Sequence, residues 1–194
     1  MTRPLIIWLL ITCLYLHIQA QFQYGDTNAA GHYLKTRGIN LYYETYGQGD
    51  PVLMLHINGG SIKVFSYQIP YFSKNYRVIS VDSQGHGKSE DGKDSQTFEM
   101  MADYFNALLD NLHLDSCYVS GWCDGGISSL LLPLRHPEKV KKLVVSGPNL
   151  KPDTTGLNLC YHANGLFWYC ATRALQFFIF ILLFEEVKPI RVSE

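Results

Sequence analysis

Short apolar runs along the chain alternate with amphipathic stretches, and this alternation predicts the architecture. The apolar runs cover residues 52–56, 77–82, 117–120 and 140–146. Each run is continuous, as in a strand that is buried on both faces of a sheet. Stretches with helical character lie between them, at residues 65–72, 97–112 and 124–135. Strands that alternate with helices predict an α/β protein, with a mostly parallel, doubly wound sheet and helices on both faces.

A β-hairpin is predicted before the first of these strands. Two stretches rich in aromatic and β-branched residues, His32 to Thr36 and Asn40 to Tyr46, are separated by Arg37 and Gly38. This is the pattern of two paired strands joined by a tight turn. The preceding residues, 21–30, are largely polar, and we expect a flexible lead-in there. The predicted core therefore spans residues 31–150.

Residues 1–20 have the pattern of a secretory signal peptide. Arg3 supplies a positive start, residues 5–16 form an apolar run, and Ala20 closes a small-residue exit. The run is shorter than the roughly 20 residues that cross a bilayer, which disfavours an uncleaved anchor. We therefore expect a secreted or periplasmic protein in a compartment where cysteines can pair. Spacing does not say which of the remaining cysteines would do so: Cys117, Cys123, Cys160 and Cys170.

Composition and motifs narrow the choice of partner. The chain has 194 residues, with 16 Lys and Arg against 17 Asp and Glu. It lacks the basic cluster that nucleic-acid binders usually carry. His and Cys do not occur at the close spacing of a zinc site, and no G-x-x-x-x-G-K-[ST] phosphate loop is present. We expect no nucleic-acid partner, no metal and no cofactor.

The segment from Ser120 to Gly126 carries the strongest chemical signal. It places Cys123 between Gly121 and Gly125 in a G-x-C-x-G pattern, where a buried strand ends and a helix begins. A nucleophile at the tip of such a sharp turn sits in strained backbone geometry, so the residues two positions away have to be small. The turn also points N–H groups at the reacting atom, where they can stabilise an oxyanion or favour a thiolate.

Two further loops follow buried strands, at the edge where open α/β sheets bind ligands. The loop from His56 to Gly60 would supply one oxyanion donor, the backbone N–H of Asn58. The N–H of Asp124, directly after the nucleophile, would supply the other. The second loop, from Asp82 to Ser89, is a glycine-rich turn.

Together these segments resemble the α/β-hydrolase fold superfamily, in its branch of esterase-like and valacyclovir-hydrolase-like enzymes. The resemblance covers residues 31–149. It rests on the elbow, the His56 to Gly60 loop, residues 135–140, and a turn at 82–89 that is similar to the family's D-x-R-G-x-G-x-S. It implies that Cys123 occupies the nucleophile position, with Asn58 and Asp124 at the oxyanion positions. It also implies hydrolysis of small esters or amides by acyl transfer.

The chain departs from the family pattern at several positions. Cys123 stands where most members carry Ser, and Ile57 stands where Gly follows the His. A β-branched residue cannot easily adopt a positive φ, if the turn requires one at Ile57. Pro133 lies inside the helix after the elbow and would cost ~3 kcal/mol unless that helix ends or kinks there.

The acid and the base of the triad are the largest departure, since both should follow the nucleophile along the chain. Asp153 and His162 are weak candidates, because Asp153 lies in a sequence typical of a solvated turn and no strand signal follows His162. We expect His56 and His86 to shape their loops rather than accept a proton. The chain then reads as a C-terminally truncated member with weak turnover or none. The alternative is a non-catalytic or vestigial binding protein that retains the fold.

Residues 151–194 form a strongly apolar segment in the place of the family's lid. Arg173 and Gln176 interrupt the run, and the part after Gln176 is too short to span a bilayer. We expect partial lid sequence or aberrant sequence here. Peripheral membrane contact through this segment is the remaining alternative.

Overall fold

The computed structural model describes residues 24–26, 29–93 and 96–148. The expected signal peptide at 1–20 and the segment 151–194 lie outside the described residues, and so does most of the lead-in. Six strands form one sheet within the described part, in the spatial order β1-β2-β4-β3-β5-β6. Their bounds are β1 (Gly31–Thr36), β2 (Ile39–Tyr46), β3 (Asp50–Leu55), β4 (Tyr76–Val81), β5 (Cys117–Trp122) and β6 (Val140–Ser146).

The pairing of the strands confirms both parts of the predicted sheet. β1 and β2 form the antiparallel hairpin, with Thr36 opposite Ile39, and β2 continues antiparallel onto β4. The pairs β3/β4, β3/β5 and β5/β6 are parallel. The carboxyl ends of β3, β4, β5 and β6 therefore meet at one edge of the sheet, which is where the predicted site loops begin.

Three α-helices connect these strands: α1 (Gln68–Phe72), α2 (Phe98–Asn111) and α3 (Asp124–Arg135). The prediction of one helix over residues 65–72 is wrong, because a 3-10 turn at Ile62–Phe65 precedes a shorter α1. Pro70 explains the break. Inside a longer helix it would leave a carbonyl unpaired, whereas in the first turn of α1 its missing N–H costs nothing.

Helix α2 follows the predicted amphipathic pattern. Thr97 caps it, since the side-chain oxygen accepts a hydrogen bond from the Met100 N–H at 3.2 Å, satisfying a donor that the first turn leaves free. The residues that face the sheet are buried, and they include Met101, Phe105 and Leu108.

Alternating residues of β3 show that helices cover both faces. Leu53 and Leu55 belong to the apolar cluster under α2 and α3, whereas Val52 and Met54 belong to the cluster under α1. All four are fully buried. A strand buried on both faces has a continuous apolar sequence for this reason, and the predicted doubly wound α/β class is confirmed.

Helix α3 runs unbroken through Pro133 and ends at Arg135. The N–H of His136 donates to the Leu132 carbonyl at 2.8 Å and closes the last turn. Because Pro133 lies only two residues before the end, a single hydrogen bond is missing near the terminus, and the helix tolerates it.

One carboxylate joins α2, α3 and the hairpin turn. Asp103 accepts from Arg135 Nε and Nη2 at 2.8 and 2.9 Å, and from Arg37 Nη1 at 2.9 Å. His136 Nε2 lies 3.2 Å away. The Arg135 guanidinium, aided by His136 and Arg37, holds the pKa of Asp103 well below its usual range.

A buried carboxylate on β2 holds part of the expected lead-in against the sheet. Glu44 is fully buried and accepts hydrogen bonds from the Gly25 N–H at 2.8 Å and from the hydroxyl groups of Tyr42 and Tyr46, each at 2.7 Å. The ring of Tyr24 packs edge-on against Tyr46. Among the described residues, no helix combines the length and apolarity needed to cross a membrane.

Candidate functional site

Cys123 lies at the tip of the turn between β5 and α3. Its backbone has φ 54° and ψ −113°, a left-handed conformation that a non-glycine residue rarely adopts. Two hydrogen bonds hold it there: the Cys123 N–H donates to the Ser146 carbonyl at 2.8 Å, and the Cys123 carbonyl accepts from the Ile127 N–H at 3.0 Å. Strain of this kind persists only where surrounding contacts fix it, and it is common at reactive sites.

Gly121 and Gly125 allow this turn because no side chain fits at either position. A Cβ on Gly121 would lie 2.1 Å from Ser129 Oγ and 2.4 Å from the Gly125 carbonyl oxygen. A Cβ on Gly125 would lie 2.3 Å from the carbonyl oxygen of Leu55. The close approach at Gly125 is between α3 and the end of β3, so this glycine sets the distance from the elbow to the neighbouring loop.

That neighbouring loop is a tight turn from Ile57 to Gly60. The Gly60 N–H donates to the Ile57 carbonyl at 3.1 Å, and Gly59 between them has φ 67°. Ile57 is not among the positive-φ residues, so its β-branched side chain causes no backbone strain. The left-handed residue of the turn is Gly59, and a glycine adopts this conformation easily because it has no Cβ.

Cys123 and Asp124 are adjacent at the start of α3, and Asn58 and Asp124 line the same cavity. The backbone N–H groups of Asp124 and Asn58 each act to lower the pKa of the Cys123 thiol. Burial, followed by the charge of the Asp124 carboxylate, outweighs them, so the pKa of the Cys123 thiol is raised above its ordinary value. The thiol group lies 3.7 Å from Asp124 Oδ1. The thiolate that the turn could favour is therefore not the dominant form at neutral pH.

His56 is buried and neutral, and its ring connects two loops by hydrogen bonds. Its Nδ1 donates to the Ile57 carbonyl at 2.7 Å, and its Nε2 accepts the N–H of Ser83 at 2.9 Å. Burial lowers the pKa of His56 to about 4. With both ring nitrogens occupied by backbone groups, His56 cannot take a proton from Cys123.

The turn from Asp82 to Ser89 is built around the Asp82 carboxylate. Asp82 accepts the N–H of Ile62 on one oxygen and the N–H of Lys88 on the other, both at 2.8 Å. Burial raises its pKa despite these two donors. Ser89 adds a further link, since its hydroxyl donates to the Asp82 carbonyl and accepts the Tyr42 N–H. The motif thus fixes the loop after β4 rather than supplying a reactive group.

A small cavity of about 100 Å³ lies beside the elbow. Its walls come from the loops after β3 and β4, from the start of α2 and from the elbow, and include Ile57, Asn58, Ser83, His86, Met101 and Asp124.

The predicted acid and base candidates, Asp153 and His162, lie outside the described residues. His136 pairs with Asp103 at the far end of α3 from the elbow. Within the described residues the imidazole groups at the cavity are those of His56 and His86, whose ring centroids lie 5.4 Å apart.

Cys117 and Cys123 are both free thiols. Cys117 is fully buried in β5, and burial raises its pKa to about 12. No group of three or more potential metal-binding side chains occurs in the described ranges. Cys160 and Cys170 lie outside them.

Comparison with known proteins agrees with this geometry. A family model described as the alpha/beta hydrolase fold matches residues 50–178, and the chain belongs to this family. It is 31% identical to 2-hydroxymuconate semialdehyde hydrolase from Pseudomonas sp. (strain CF600), over 71% of this chain and 50% of the relative. It is 28% identical to 3-oxoadipate enol-lactonase 2 from Acinetobacter baylyi, over 67% and 47%.

A solved structure of N-acyl homoserine lactonase AidH, complexed with N-butanoyl homoserine, superposes with a TM-score of 0.58 at 32% identity. The match covers 61% of this chain and 44% of that chain. The proteins that this chain is similar to thus include an enol-lactonase, an N-acyl homoserine lactonase and an esterase. The chain spans about half the length of the curated relatives it matches.

Proposed function

We propose that this chain performs acyl transfer on small esters or amides, with Cys123 as the nucleophile. The observation that carries the proposal is the strained elbow backbone of Cys123, beside which the N–H groups of Asp124 and Asn58 act to lower the pKa of the thiol. Two backbone donors at this position would stabilise the oxyanion that forms when sulfur attacks a carbonyl. The named substrates of the relatives, lactones among them, support the choice of substrate class.

The first half of the reaction exchanges one ester for another. The thiol of Cys123 loses its proton to water, its sulfur bonds to the carbonyl carbon, and the leaving alkoxide takes a proton from water. The product is an acyl thioester on Cys123 and a free alcohol. Because the pKa of the thiol is raised, we expect this step to be slow at neutral pH.

The second half, hydrolysis of the thioester, needs a base that activates water. Among the described residues, His56 is locked between backbone groups. We therefore expect the thioester to accumulate and turnover to be weak or absent.

Incubation with p-nitrophenyl acetate tests this proposal. We expect a burst of p-nitrophenol that approaches one equivalent, together with one acetyl group on the Cys123 peptide by mass spectrometry. Cys123→Ala should give no burst, whereas Cys117→Ala, which changes a buried cysteine on the preceding strand β5, should retain it. Absence of acetylated Cys123 in the parent protein would rule out the nucleophile assignment.

The raised pKa of Cys123 also supports a second function, a non-catalytic protein that binds small molecules beside the elbow. This function predicts saturable binding of an ester without acylation. Titration of the protein with a slowly hydrolysed ester, followed by calorimetry and by mass spectrometry, separates the two.

The N-terminal pattern supports a further proposal, that the protein is exported and that residues 1–20 are removed. N-terminal sequencing of the mature protein should then begin near Gln21. A mature chain that retains residues 1–20 would contradict it.

A further inference from the structure

His86 contacts the loop that carries the Asn58 N–H. The N–H of Gly59 donates to His86 Nε2 at 3.1 Å, and His86 Nδ1 lies 2.9 Å from the Gln84 carbonyl. A carbonyl oxygen can only accept, so Nδ1 carries the proton, and Nε2 is then left as an acceptor. Both nitrogens are therefore matched to backbone groups by the neutral ring.

The hydrogen bond from Gly59 to His86 is made by the residue that determines the shape of the loop. Gly59 is the left-handed position of the Ile57 to Gly60 turn, and its amide plane includes the carbonyl of Asn58. Fixing this plane limits the rotation of the Asn58 backbone. Asn58 Oδ1, which can only accept, also lies 3.2 Å from His86 Nε2 and makes no hydrogen bond with this unprotonated nitrogen. The Asn58 N–H acts to lower the pKa of the Cys123 thiol.

His56 and His86 hold this loop together with the loop after β4. His56 reaches out from the first loop to the Ser83 N–H, while His86 reaches back from the second loop to the Gly59 N–H. Two reciprocal hydrogen bonds between side chain and backbone thus join the loops, with the two rings side by side. His56 is almost fully buried, whereas His86 lines the cavity.

We propose that His86 is a positioning residue for the oxyanion loop, which acts by accepting the Gly59 N–H and so holding the Asn58 N–H toward Cys123. The proposal rests on the proposed acyl transfer, because only that reaction places an oxyanion at the Asn58 N–H. His86 acts through the backbone and has no contact with the sulfur in this role.

Two matched variants of the full chain separate the hydrogen bond from the bulk of the ring. In His86→Gln the side-chain oxygen can take the place of Nε2 and still accept the Gly59 N–H. In His86→Asn the shorter amide can replace Nδ1 only, so the Gly59 N–H loses its acceptor. His32→Asn, a histidine change on the outer strand β1, controls for a general effect on the protein.

The rate of acetyl-thioester formation on Cys123 from p-nitrophenyl acetate is the first measurement. We expect His86→Asn to slow it by about tenfold or more, since loss of an oxyanion donor costs about 10²-fold or more and the loop here is loosened rather than removed. His86→Gln should recover most of this loss. Alkylation of Cys123 by iodoacetamide forms no oxyanion, so its plateau rate at high pH should change by less than about twofold in either variant. Equal acylation rates in the Gln and Asn variants would overturn the proposal.

The second measurement does not depend on activity. Hydrogen exchange at the Gly59 amide, observed by NMR, should be faster in His86→Asn than in His86→Gln and in the parent. If the parent forms no thioester, the proposed function fails, and this exchange still decides whether His86 holds the loop. Unchanged Gly59 exchange in His86→Asn would show that the hydrogen bond does not hold the loop and would overturn the positioning role.

Discussion

Replacing Asp124 with Asn should make Cys123 more reactive at neutral pH. The carboxylate oxygen lies 3.7 Å from the sulfur, and its charge helps to raise the pKa of the thiol. Two unit charges at this separation repel by ~1 kcal/mol even with the dielectric constant of water, which lowers the thiolate population about fivefold. Asp124→Asn removes this repulsion but keeps the backbone N–H that acts to lower the pKa of the thiol.

The gain in rate is smaller than the gain in thiolate, because a less basic thiolate is a weaker nucleophile. With a Brønsted coefficient of ~0.45, a fivefold gain in thiolate gives alkylation that is at least about twofold faster at pH 7. The same coefficient makes the plateau rate at high pH about twofold slower. The two pH–rate curves should therefore cross, which a change in accessibility alone would not produce.

Iodoacetamide alkylation across a pH series gives both the rate at pH 7 and the plateau rate at high pH. The alkylated Cys123 peptide is quantified by mass spectrometry. Asp110→Asn is the matched control, since Asp110 lies on α2 and pairs with Lys139. We expect the control curve to coincide with that of the parent. Curves for Asp124→Asn that are parallel to the parent curve, or slower at pH 7, would refute the argument that the carboxylate suppresses the thiolate.

Three further predictions concern stability and the second thiol. Gly125→Ala should destabilise the fold by ~2–3 kcal/mol in urea unfolding, because its Cβ would lie 2.3 Å and 2.5 Å from two backbone oxygens; an effect below about 0.5 kcal/mol would contradict this. Asp103→Asn should cost ~1 kcal/mol at pH 7, since its ion pairs are partly exposed to solvent. The folded pKa of Asp103 is depressed, so this difference should be fully present above pH ~4 and shrink as the pH falls toward the folded value; a difference that is independent of pH would refute the ion-pair origin. Cys117, with its pKa raised to about 12, should resist iodoacetamide at pH 8 until urea unfolds the chain; native-state labelling would contradict its burial.

The strands could be predicted because burial on both faces leaves a continuous apolar run in the sequence. The elbow could also be predicted, because Gly121 and Gly125 are needed there for steric reasons that depend only on local geometry. The start of α1 was not predicted, because it depends on Pro70 lying in the first turn of the helix.

Contacts between distant parts of the chain left no such signal. The link from His86 to Gly59 and the pairing of Asp103 with Arg37 and Arg135 join residues that are far apart in sequence. The protonation state of Cys123 was equally out of reach, since it depends on a balance between burial, the Asp124 charge and two N–H groups. A motif shows that donors are present, but the net pKa follows only from their three-dimensional surroundings.

The backbone of the elbow is held entirely by atoms outside the side chain at position 123. Its N–H and carbonyl are bound to Ser146 and Ile127, and the room for the turn comes from the two glycines. The contact that the thiol makes, with Asp124 Oδ1 at 3.7 Å, is separate from these backbone hydrogen bonds. A serine at position 123 would therefore be presented at the same point and in the same direction as the cysteine. The single substitution Cys123→Ser would thus change the attacking atom from sulfur to oxygen, and the rest of the fold would not need to adapt.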